Sequence, residues 1–209
     1  MPMDLVNCLA DLKEDEALSI TKNRLEAHED PNAILADARK GMSIVGERFA
    51  KAEYFIPDLI FSGEILKEVT DLVKPHLTAA APPKRIGKVV LGTVAGDIHD
   101  IGLNIVDFML DSNGFEVYNL GVDVPAQKFV DKIRETQTPV VALSGFLTLA
   151  FDSMKDTVKA IESAGLRKDV KIMIGGGQID DQVKNYTGAD AFGKDAVEAV
   201  TLAKKWSGG

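Results

Sequence analysis

The feature that most constrains the fold of this 209-residue chain is a change of pattern near residue 80. Beyond it, five short β-branched or apolar runs alternate with segments of helical periodicity. The runs cover 88–93, 116–120, 140–143, 171–174 and 189–192, and the helical segments cover 102–113, 125–136, 151–164, 178–185 and 195–206. Such alternation is typical of a parallel sheet with helices on both faces. We therefore predict a flavodoxin-like (Rossmann-like) α/β domain of five parallel strands in the order 2-1-3-4-5.

The part of the chain before this change has helical periodicity only. Four groups of apolar residues begin at Leu5, Ala17, Ile34 and Leu59. The first group extends to Leu12, and Pro31 and Pro57 each suit the first turn of a helix. Short connections between such helices favour a four-helix bundle.

The segment 78–85, TAAAPPKR, separates the two patterns and has no apolar periodicity of its own. Small residues and prolines of this kind are typical of a linker. We therefore predict two domains, a helical cap over residues 1–80 and an α/β domain over residues 86–209.

The charge of the chain excludes several classes of partner. The net charge is −8, and the acidic residues are spread along helical segments, which argues against nucleic-acid and anionic membrane surfaces. No apolar run reaches 18 residues, and the first residues lack the basic and apolar parts of a signal peptide. We expect a cytoplasmic protein that contacts neither nucleic acid nor membrane.

Three loops of the predicted sheet converge where a ligand is expected. In this strand order, ligands bind at the carboxyl ends of the strands, near the switch point between strands 1 and 3. The sequences there are GDIHDIG at 96–102, SGFLT at 144–148 and GGG at 175–177. We therefore look for the functional residues in these loops.

His99 is the best candidate for a metal ligand. An imidazole binds transition metals, and a carboxylate such as Asp97 can accept its second N–H and orient the ring. Zinc takes three or four ligands, so one histidine and one aspartate suit a metal that brings most of its own ligands, such as a metal in a macrocycle. The alternative is a solvated loop histidine with acidic neighbours.

The glycines and Ser144 admit two interpretations each. Gly175, Gly176 and Gly177 allow positive φ and a close approach of backbone to a bulky ligand, or they form a simple turn before a helix. Ser144 can hydrogen-bond a ligand nitrogen or cap the next helix.

Taken together, these motifs resemble a known family. Asp97-x-His99-x-x-Gly102, Ser144-x-Phe146 and Gly175-Gly176 are similar to the cobalamin-binding fingerprint of methionine synthase and of the corrinoid proteins of anaerobic methyltransferase systems. The segments Gly41-Met42, Val45-Gly46, Phe49 and Tyr54-Phe55-Ile56-Pro57 resemble the helical cap that precedes the cobalamin domain in that family. The resemblance extends over nearly the whole chain.

The resemblance implies a cobalamin or related corrinoid bound base-off and His-on, with His99 as the axial ligand to cobalt and Asp97 orienting its ring. It implies that the nucleotide tail is buried in the α/β domain and that Phe55 lies against the methyl group. The remaining residues that it implies at the cofactor are Asp100, Ile101, Gly102, Val122, Asp123, Val124, Ser144, Phe146, Leu147, Thr148, Gly175, Gly176 and Gly177.

Three positions depart from the family pattern. Phe146 stands where the family usually has leucine, and Leu103 stands where lysine is frequent, a change that we expect at the surface. Ala150 stands where methionine synthase has a second serine that extends the Asp-His relay. The missing hydroxyl predicts one donor fewer for the Asp97 carboxylate and weaker ligation by His99. The alternative is that a water or a neighbouring backbone group supplies the donor and ligation is unchanged.

The resemblance implies a methyl carrier and no complete enzyme, because the chain lacks the large barrel that activates the substrate in the family. A substrate-specific methyltransferase would load cobalt, a second methyltransferase would pass the methyl group to tetrahydrofolate or a thiol, and a reductive activase would restore the cofactor. Such carriers serve methoxylated aromatics, methylamines, betaines or methanol, and the SGFLT variant favours O-demethylation.

Three alternatives remain open on the sequence alone. A cobalamin-binding regulator needs a basic DNA-reading module, which the N-terminal helices lack. The cobalamin subunit of a mutase has no attached cap like the Phe55-Ile56-Pro57 region. A flavodoxin-like receiver with Asp97 as phosphoacceptor leaves His99 and the glycines unexplained.

Overall fold

The computed structural model describes residues 4–77, 85–177 and 179–207. The chain divides into two compact units, Met1–Lys84 with Ser112–Gly114, and Arg85–Asp111 with Phe115–Gly209. Of the predicted linker 78–85, only Arg85 lies within the described residues. No helix of the described ranges combines the length and hydropathy needed to cross a membrane.

Residues 4–77 form the four predicted α-helices, α1 (Leu5–Ala10), α2 (Glu14–Glu26), α3 (Pro31–Ala50) and α4 (Ile56–Val73), followed by a 3-10 turn over Lys74–His76. The carboxylates of Asp4 and Asp30 accept backbone N–H bonds at the starts of α1 and α3. The prediction that α1 extends to Leu12 was wrong: α1 ends at Ala10, and Leu12 has a left-handed φ of 57°.

The helical unit is organised around α3. Its residues Ile34, Met42 and Val45 are fully buried, as are Ile65 and Val69 of α4. Helix α3 contacts both α1 and α4. The helical spacing of these apolar residues therefore corresponds to a packed face, as the sequence pattern predicted.

The second unit contains the predicted parallel sheet. Its strands are β1 (Gly87–Thr93), β2 (Phe115–Asn119), β3 (Val140–Gly145), β4 (Lys171–Gly176) and β5 (Ala191–Phe192), in the order β2-β1-β3-β4-β5. The helices are α5 (Asp100–Ser112), α6 (Ala126–Thr136), α7 (Ala150–Ser163), α8 (Asp181–Thr187) and α9 (Ala196–Trp206). The predicted fold class and strand order are confirmed.

Both faces of the sheet are covered. Val89, Val90 and Leu91 follow one another in β1 and are all nearly inaccessible, although successive side chains point to opposite faces of a strand. Phe129 of α6 belongs to the core on one of these faces. The expectation that Leu103 lies at the surface was wrong, because its side chain is 2% exposed in the first turn of α5.

Strands β3 and β4 extend two residues further than predicted. Ser144 pairs with Gly175, and Gly145 pairs with Gly176, so Ser144, Gly175 and Gly176 lie in strands and not in loops. Small residues gave no apolar signal there, although they permit the close pairing. The two strands therefore bring their carboxyl ends together beside β1, where the strand order reverses.

Candidate functional site

A buried carboxylate organises the loop between β1 and α5. Asp97 is 1% exposed; its Oδ1 accepts the backbone N–H of His99 at 2.9 Å, and its Oδ2 accepts that of Phe146 at 2.7 Å. Burial alone would raise the pKa of Asp97, but the N–H donors of Phe146 and His99 outweigh it and hold this pKa below its usual value. Asp97 is therefore an ionised hydrogen-bond acceptor.

The same carboxylate orients the ring of His99. Nδ1 of His99 lies 3.2 Å from Oδ1 of Asp97, while the histidine side chain is 47% exposed. The ring of Phe146 lies 4.7 Å from the imidazole, centroid to centroid, at an angle of 32°. Because Nδ1–H donates to the carboxylate, Nε2 is the nitrogen with a free lone pair for a metal.

The donor set fits a metal that arrives with its own ligands. Within residues 4–77, 85–177 and 179–207, no group of three or more His, Cys, Asp or Glu side chains could hold a metal ion. A single oriented imidazole supplies one coordination position only. It suits a metal whose other positions are filled by a macrocycle.

Exposed apolar side chains are numerous on the segments that follow β1, β2 and β3. Six of them are between 42% and 80% exposed: Ile98, Ile101, Val122, Phe146, Leu147 and Leu149. A group of large apolar residues left in solvent indicates a binding surface. The sequence interpretation missed Ile98 and Leu149, although apolar residues within a loop are themselves a signal.

The side chain of Val124 differs from those of its neighbours. It is 2% exposed and packs in the core, whereas Val122 and Asp123 are exposed. The side chain of Val124 therefore has almost no accessible face, and any contact of this residue with the cofactor would have to come from its backbone. Its backbone forms a parallel bridge with Val94.

Gly176, the last residue of β4, and Gly177 after it are required by the close approach of the neighbouring backbone. Gly176 has a φ of 128°, and a Cβ there would lie 2.1 Å from the carbonyl oxygen of Gly145. A Cβ on Gly177 would lie 2.3 Å from the carbonyl oxygen of Phe146. By contrast, a Cβ on Gly102 would meet no atom within 4 Å, so this glycine borders open space.

The other predicted site residues lie in both units. Ser144 is half-buried at the end of β3 and does not cap α7, whose N-cap is Leu149. Thr148 and Asp100 are exposed near the same edge, and Gly175 is half-buried. Phe55 lies in the helical unit, 63% exposed, directly before α4.

Ala150 does not leave the carboxylate of Asp97 short of donors. Ala150 is the first residue of α7 and is 4% exposed. The backbone N–H of Phe146 donates to Oδ2 of Asp97, while His99 occupies Oδ1. The structure thus shows the arrangement of the second alternative, in which a neighbouring backbone group donates to the carboxylate, and the effect of Ala150 on ligation by His99 stays a prediction.

Comparisons with known proteins agree with this geometry. Two family models, both described as B12 binding domain, match residues 87–201 and residues 3–74. The dimethylamine corrinoid protein 2 of Methanosarcina acetivorans is 31% identical over 97% of this chain and 94% of its own length.

Two solved structures resemble the whole chain. A cobalamin-binding protein from Desulfitobacterium hafniense DCB-2 is 43% identical, with a TM-score of 0.82 over 97% of this chain and 98% of its own. The methanol:cobalamin methyltransferase complex of Methanosarcina barkeri contains a chain that is 25% identical, with a TM-score of 0.82 over 98% of this chain and 78% of its own.

The doubly wound sheet and the carboxylate-bound histidine at its carboxyl edge define a class of α/β proteins suited to a macrocyclic metal cofactor. The family models and the relatives identify one family within that class. This chain belongs to the family of B12-binding corrinoid proteins, and its cofactor is cobalamin or a related corrinoid.

Proposed function

We propose that this chain carries a methyl group on corrinoid cobalt between two partner methyltransferases. The observation that carries the proposal is the His99 imidazole, which is bound to the buried carboxylate of Asp97 and lies against the exposed ring of Phe146. The relatives named above are a dimethylamine corrinoid protein and a methanol:cobalamin methyltransferase complex, which supports a role in methyl transfer.

In this proposal, Nε2 of His99 would be the protein nitrogen that binds the corrinoid cobalt in place of the cofactor's own base. Asp97 holds the ring in one tautomer, and its negative charge strengthens the donor character of the imidazole. The bound corrinoid supplies a cobalt centre that accepts and releases a methyl group, and the protein tunes that centre. The Asp97–His99 pair would therefore control whether histidine is bound to cobalt.

The exposed apolar residues form the proposed contact surface for the macrocycle. Ile101, Val122, Phe146 and Leu147 come from the loops after β1, β2 and β3, so a flat ligand lying across the strand ends would cover them all. Covering apolar surface is favourable in proportion to its area. We add Ile98 and Leu149 to this set on the same grounds.

The nucleotide tail is proposed to enter between β3 and β4. Ser144 and Thr148 offer hydroxyl groups, and Gly175 leaves room for a ligand chain along the strand ends. Gly176 and Gly177 would contribute backbone groups only, because the space of their missing side chains is taken by the backbone of Gly145 and Phe146. Gly102 and the exposed Asp100 lie at the start of α5 beside the same loops. Phe55 remains the proposed neighbour of the methyl group, on the family resemblance alone.

The identity of the methyl donor changes in the light of the relatives. Of the three named above, two have names that refer to dimethylamine and methanol, and none supports the preference for methoxylated aromatics. We therefore propose a small methylated amine or alcohol as donor. The substrate-specific methyltransferase, the acceptor methyltransferase that serves tetrahydrofolate or a thiol, and the reductive activase are proposed partners.

The proposal predicts that the axial nitrogen comes from His99. The protein, labelled with ¹⁵N-histidine and reconstituted with hydroxocobalamin, would be reduced to Co(II) and studied by electron paramagnetic resonance. A histidine ligand converts the three-line ¹⁴N hyperfine pattern into a two-line ¹⁵N pattern, whereas a nitrogen of the cofactor itself does not.

His99→Ala should abolish that pattern, while His28→Ala and His76→Ala, which change the other two histidines of the chain, should retain it. An unchanged ¹⁴N pattern in the labelled wild type would show that the cofactor binds with its own base. Retention of the ¹⁵N pattern in His99→Ala would remove His99 from the site.

A further inference from the structure

Asp123 lies on the loop after β2, yet its hydrogen bonds reach the loop that carries Asp97 and His99. Its Oδ1 accepts the backbone N–H of Gly96 at 2.7 Å, and its own backbone N–H donates to the carbonyl oxygen of Asp97 at 2.9 Å. These two bonds engage consecutive residues of the histidine loop. From the neighbouring loop, Asp123 therefore anchors the segment immediately before Ile98 and His99.

A buried hydroxyl joins the same contacts. Thr93, the last residue of β1, is fully buried; its Oγ1 donates to the carbonyl oxygen of Asp97 at 2.6 Å and accepts the backbone N–H of Asp123 at 3.0 Å. The end of β1, the histidine loop and the loop after β2 are thus joined through three polar groups. We call Thr93, Gly96, Asp97 and Asp123 the loop network.

Gly96 has no side chain that could anchor this part of the loop. It is exposed, it has a φ of 83°, and a Cβ on it would meet nothing within 4 Å. The hydrogen bonds of its backbone are therefore its specific link to the neighbouring loop. The bond from Gly96 N–H to Asp123 is one of these, and it is charge-assisted because its acceptor is a carboxylate.

The backbone of Asp123 has a conformation that suits its two hydrogen bonds to the histidine loop. Its φ is 51°, in the left-handed region, where aspartate and asparagine are tolerated and most other side chains are strained. This conformation is accompanied by contacts of both its N–H and its carboxylate with residues 96–97. A strained conformation is maintained where the surrounding structure requires it.

We propose that Asp123 is a positioning residue for the axial histidine: acting through Gly96 and Asp97, it fixes the loop that presents His99 to cobalt. The inference rests on the proposed axial role of His99. It replaces the expectation that Asp123 contacts the corrin directly. Asp123 touches the histidine loop and not the reacting atoms.

The test compares three variants of the full chain reconstituted with hydroxocobalamin and reduced to Co(II). Asp123→Gly removes the carboxylate and tolerates the positive φ; Asp123→Asn keeps both an acceptor oxygen and the tolerance of this φ. Thr93→Val removes only the hydroxyl of the loop network. Electron paramagnetic resonance at fixed pH gives the ratio of His-on to His-off Co(II) for each protein.

We expect Asp123→Gly to lower this ratio by about 10-fold, at the lower end of the range typical for supporting residues of metal sites. Asp123→Asn should stay within roughly twofold of the wild type, because the acceptor remains. Thr93→Val should lower the ratio in the same direction as Asp123→Gly. Rescue by asparagine distinguishes positioning from a need for negative charge at the cofactor.

Other outcomes overturn the inference. An unchanged ratio in Asp123→Gly, with weaker binding of hydroxocobalamin, would mean that Asp123 contacts the corrin directly. Loss of cooperative thermal unfolding in both Asp123→Gly and Thr93→Val apoproteins would mean that the network only stabilises the domain. Absence of histidine hyperfine structure in the wild type would refute the proposed function itself, which the other outcomes leave intact.

Discussion

At the level of single residues, hydrogen bonds from three segments of the chain converge on Asp97. Its carboxylate accepts from His99 and Phe146, and its carbonyl oxygen accepts from Thr93 and Asp123. Removing a carboxylate from water is costly unless such donors compensate. Asp97 is 1% exposed, and its carboxylate stays ionised because donors from several loops stabilise the charge.

The donors around Asp97 lead to a prediction for Ala150→Ser. Both carboxylate oxygens already accept N–H bonds, so an added hydroxyl has little to supply. We expect the ratio of His-on to His-off Co(II) to change by less than about threefold, well short of the 10 to 100-fold typical of a lost supporting bond. Spectra of the reduced, reconstituted proteins at a series of pH values measure it.

The matching positive control is Asp97→Ala, which removes the acceptor altogether and should strongly lower the ratio of His-on to His-off Co(II). If Ala150→Ser strengthened ligation by 10-fold or more, the backbone donor of Phe146 would be an inadequate substitute for serine. The original expectation from the sequence would then be restored.

At the level of secondary structure elements, the pairing of β3 and β4 depends more on Gly176 than on Gly175. A Cβ on Gly176 would overlap the carbonyl oxygen of Gly145, whereas a Cβ on Gly175 would lie 3.5 Å from its nearest contact, the carbonyl oxygen of Gly193. We expect Gly176→Ala to lower the free energy of unfolding of the apoprotein by at least about 2 kcal/mol.

Gly175→Ala is the matched control, and it should change the free energy of unfolding by less than about 1 kcal/mol. Urea denaturation followed by circular dichroism compares both variants with the wild type. If the nucleotide tail runs along these strand ends as proposed, Gly175→Ala should weaken corrinoid binding without this loss of stability. Equal destabilisation by the two substitutions would contradict the close approach at Gly176.

The amino-terminal end of β4 contacts a second carboxylate with strong partners, that of Asp190 directly before β5. Asp190 accepts the backbone N–H of Ile172 at 2.8 Å and forms ion pairs with Arg167 at 3.0 Å and Lys171 at 3.2 Å. Burial alone would raise the pKa of Asp190, but the N–H of Ile172 and the guanidinium of Arg167 outweigh it and lower this pKa.

A lowered folded-state pKa means that Asp190 contributes stability above its unfolded pKa of about 3.9, and that the contribution disappears as the pH falls through the folded value. We expect Asp190→Asn to destabilise the protein by about 1 to 2 kcal/mol at pH 7 and by progressively less below pH 4. Urea unfolding of both proteins between pH 7 and pH 3 gives the difference.

The nearby exposed Asp169 provides a control, because Asp169→Asn changes the same charge where the structure shows a backbone contact alone. A deficit in Asp190→Asn that stayed constant from pH 7 to pH 3 would show that the stabilisation does not depend on ionisation.

The elements also show where reasoning from the sequence succeeds. Strand cores such as 88–93 are dense in β-branched residues, so their positions and order were predictable. The carboxyl ends of β3 and β4 were missed because serine and glycine carry no apolar signal. Leu103 was misplaced because one residue of a helix does not reveal which face is buried.

At the scale of the whole molecule, each of the two units corresponds to one of the matching family models, residues 3–74 and residues 87–201. The motif Asp97-x-His99 could be recognised from the sequence because its two residues are close along the chain. The hydrogen bond from Phe146 to Asp97 spans 49 residues, and the link from Asp123 to Gly96 spans 27, so only the folded chain reveals them. The covering of the methyl group by Phe55 stays a prediction.

The bond from the Phe146 N–H to Asp97 has a consequence for how this site tolerates mutation. A serine that supports a carboxylate disappears with a single codon change, whereas a main-chain N–H is present whichever residue occupies the position. Among single substitutions at position 146, only proline would delete the donor outright, because proline has no N–H. The support that Asp97 receives from this bond is therefore independent of the side chain at position 146, which leaves that side chain to serve the contact with His99 and the proposed corrin surface.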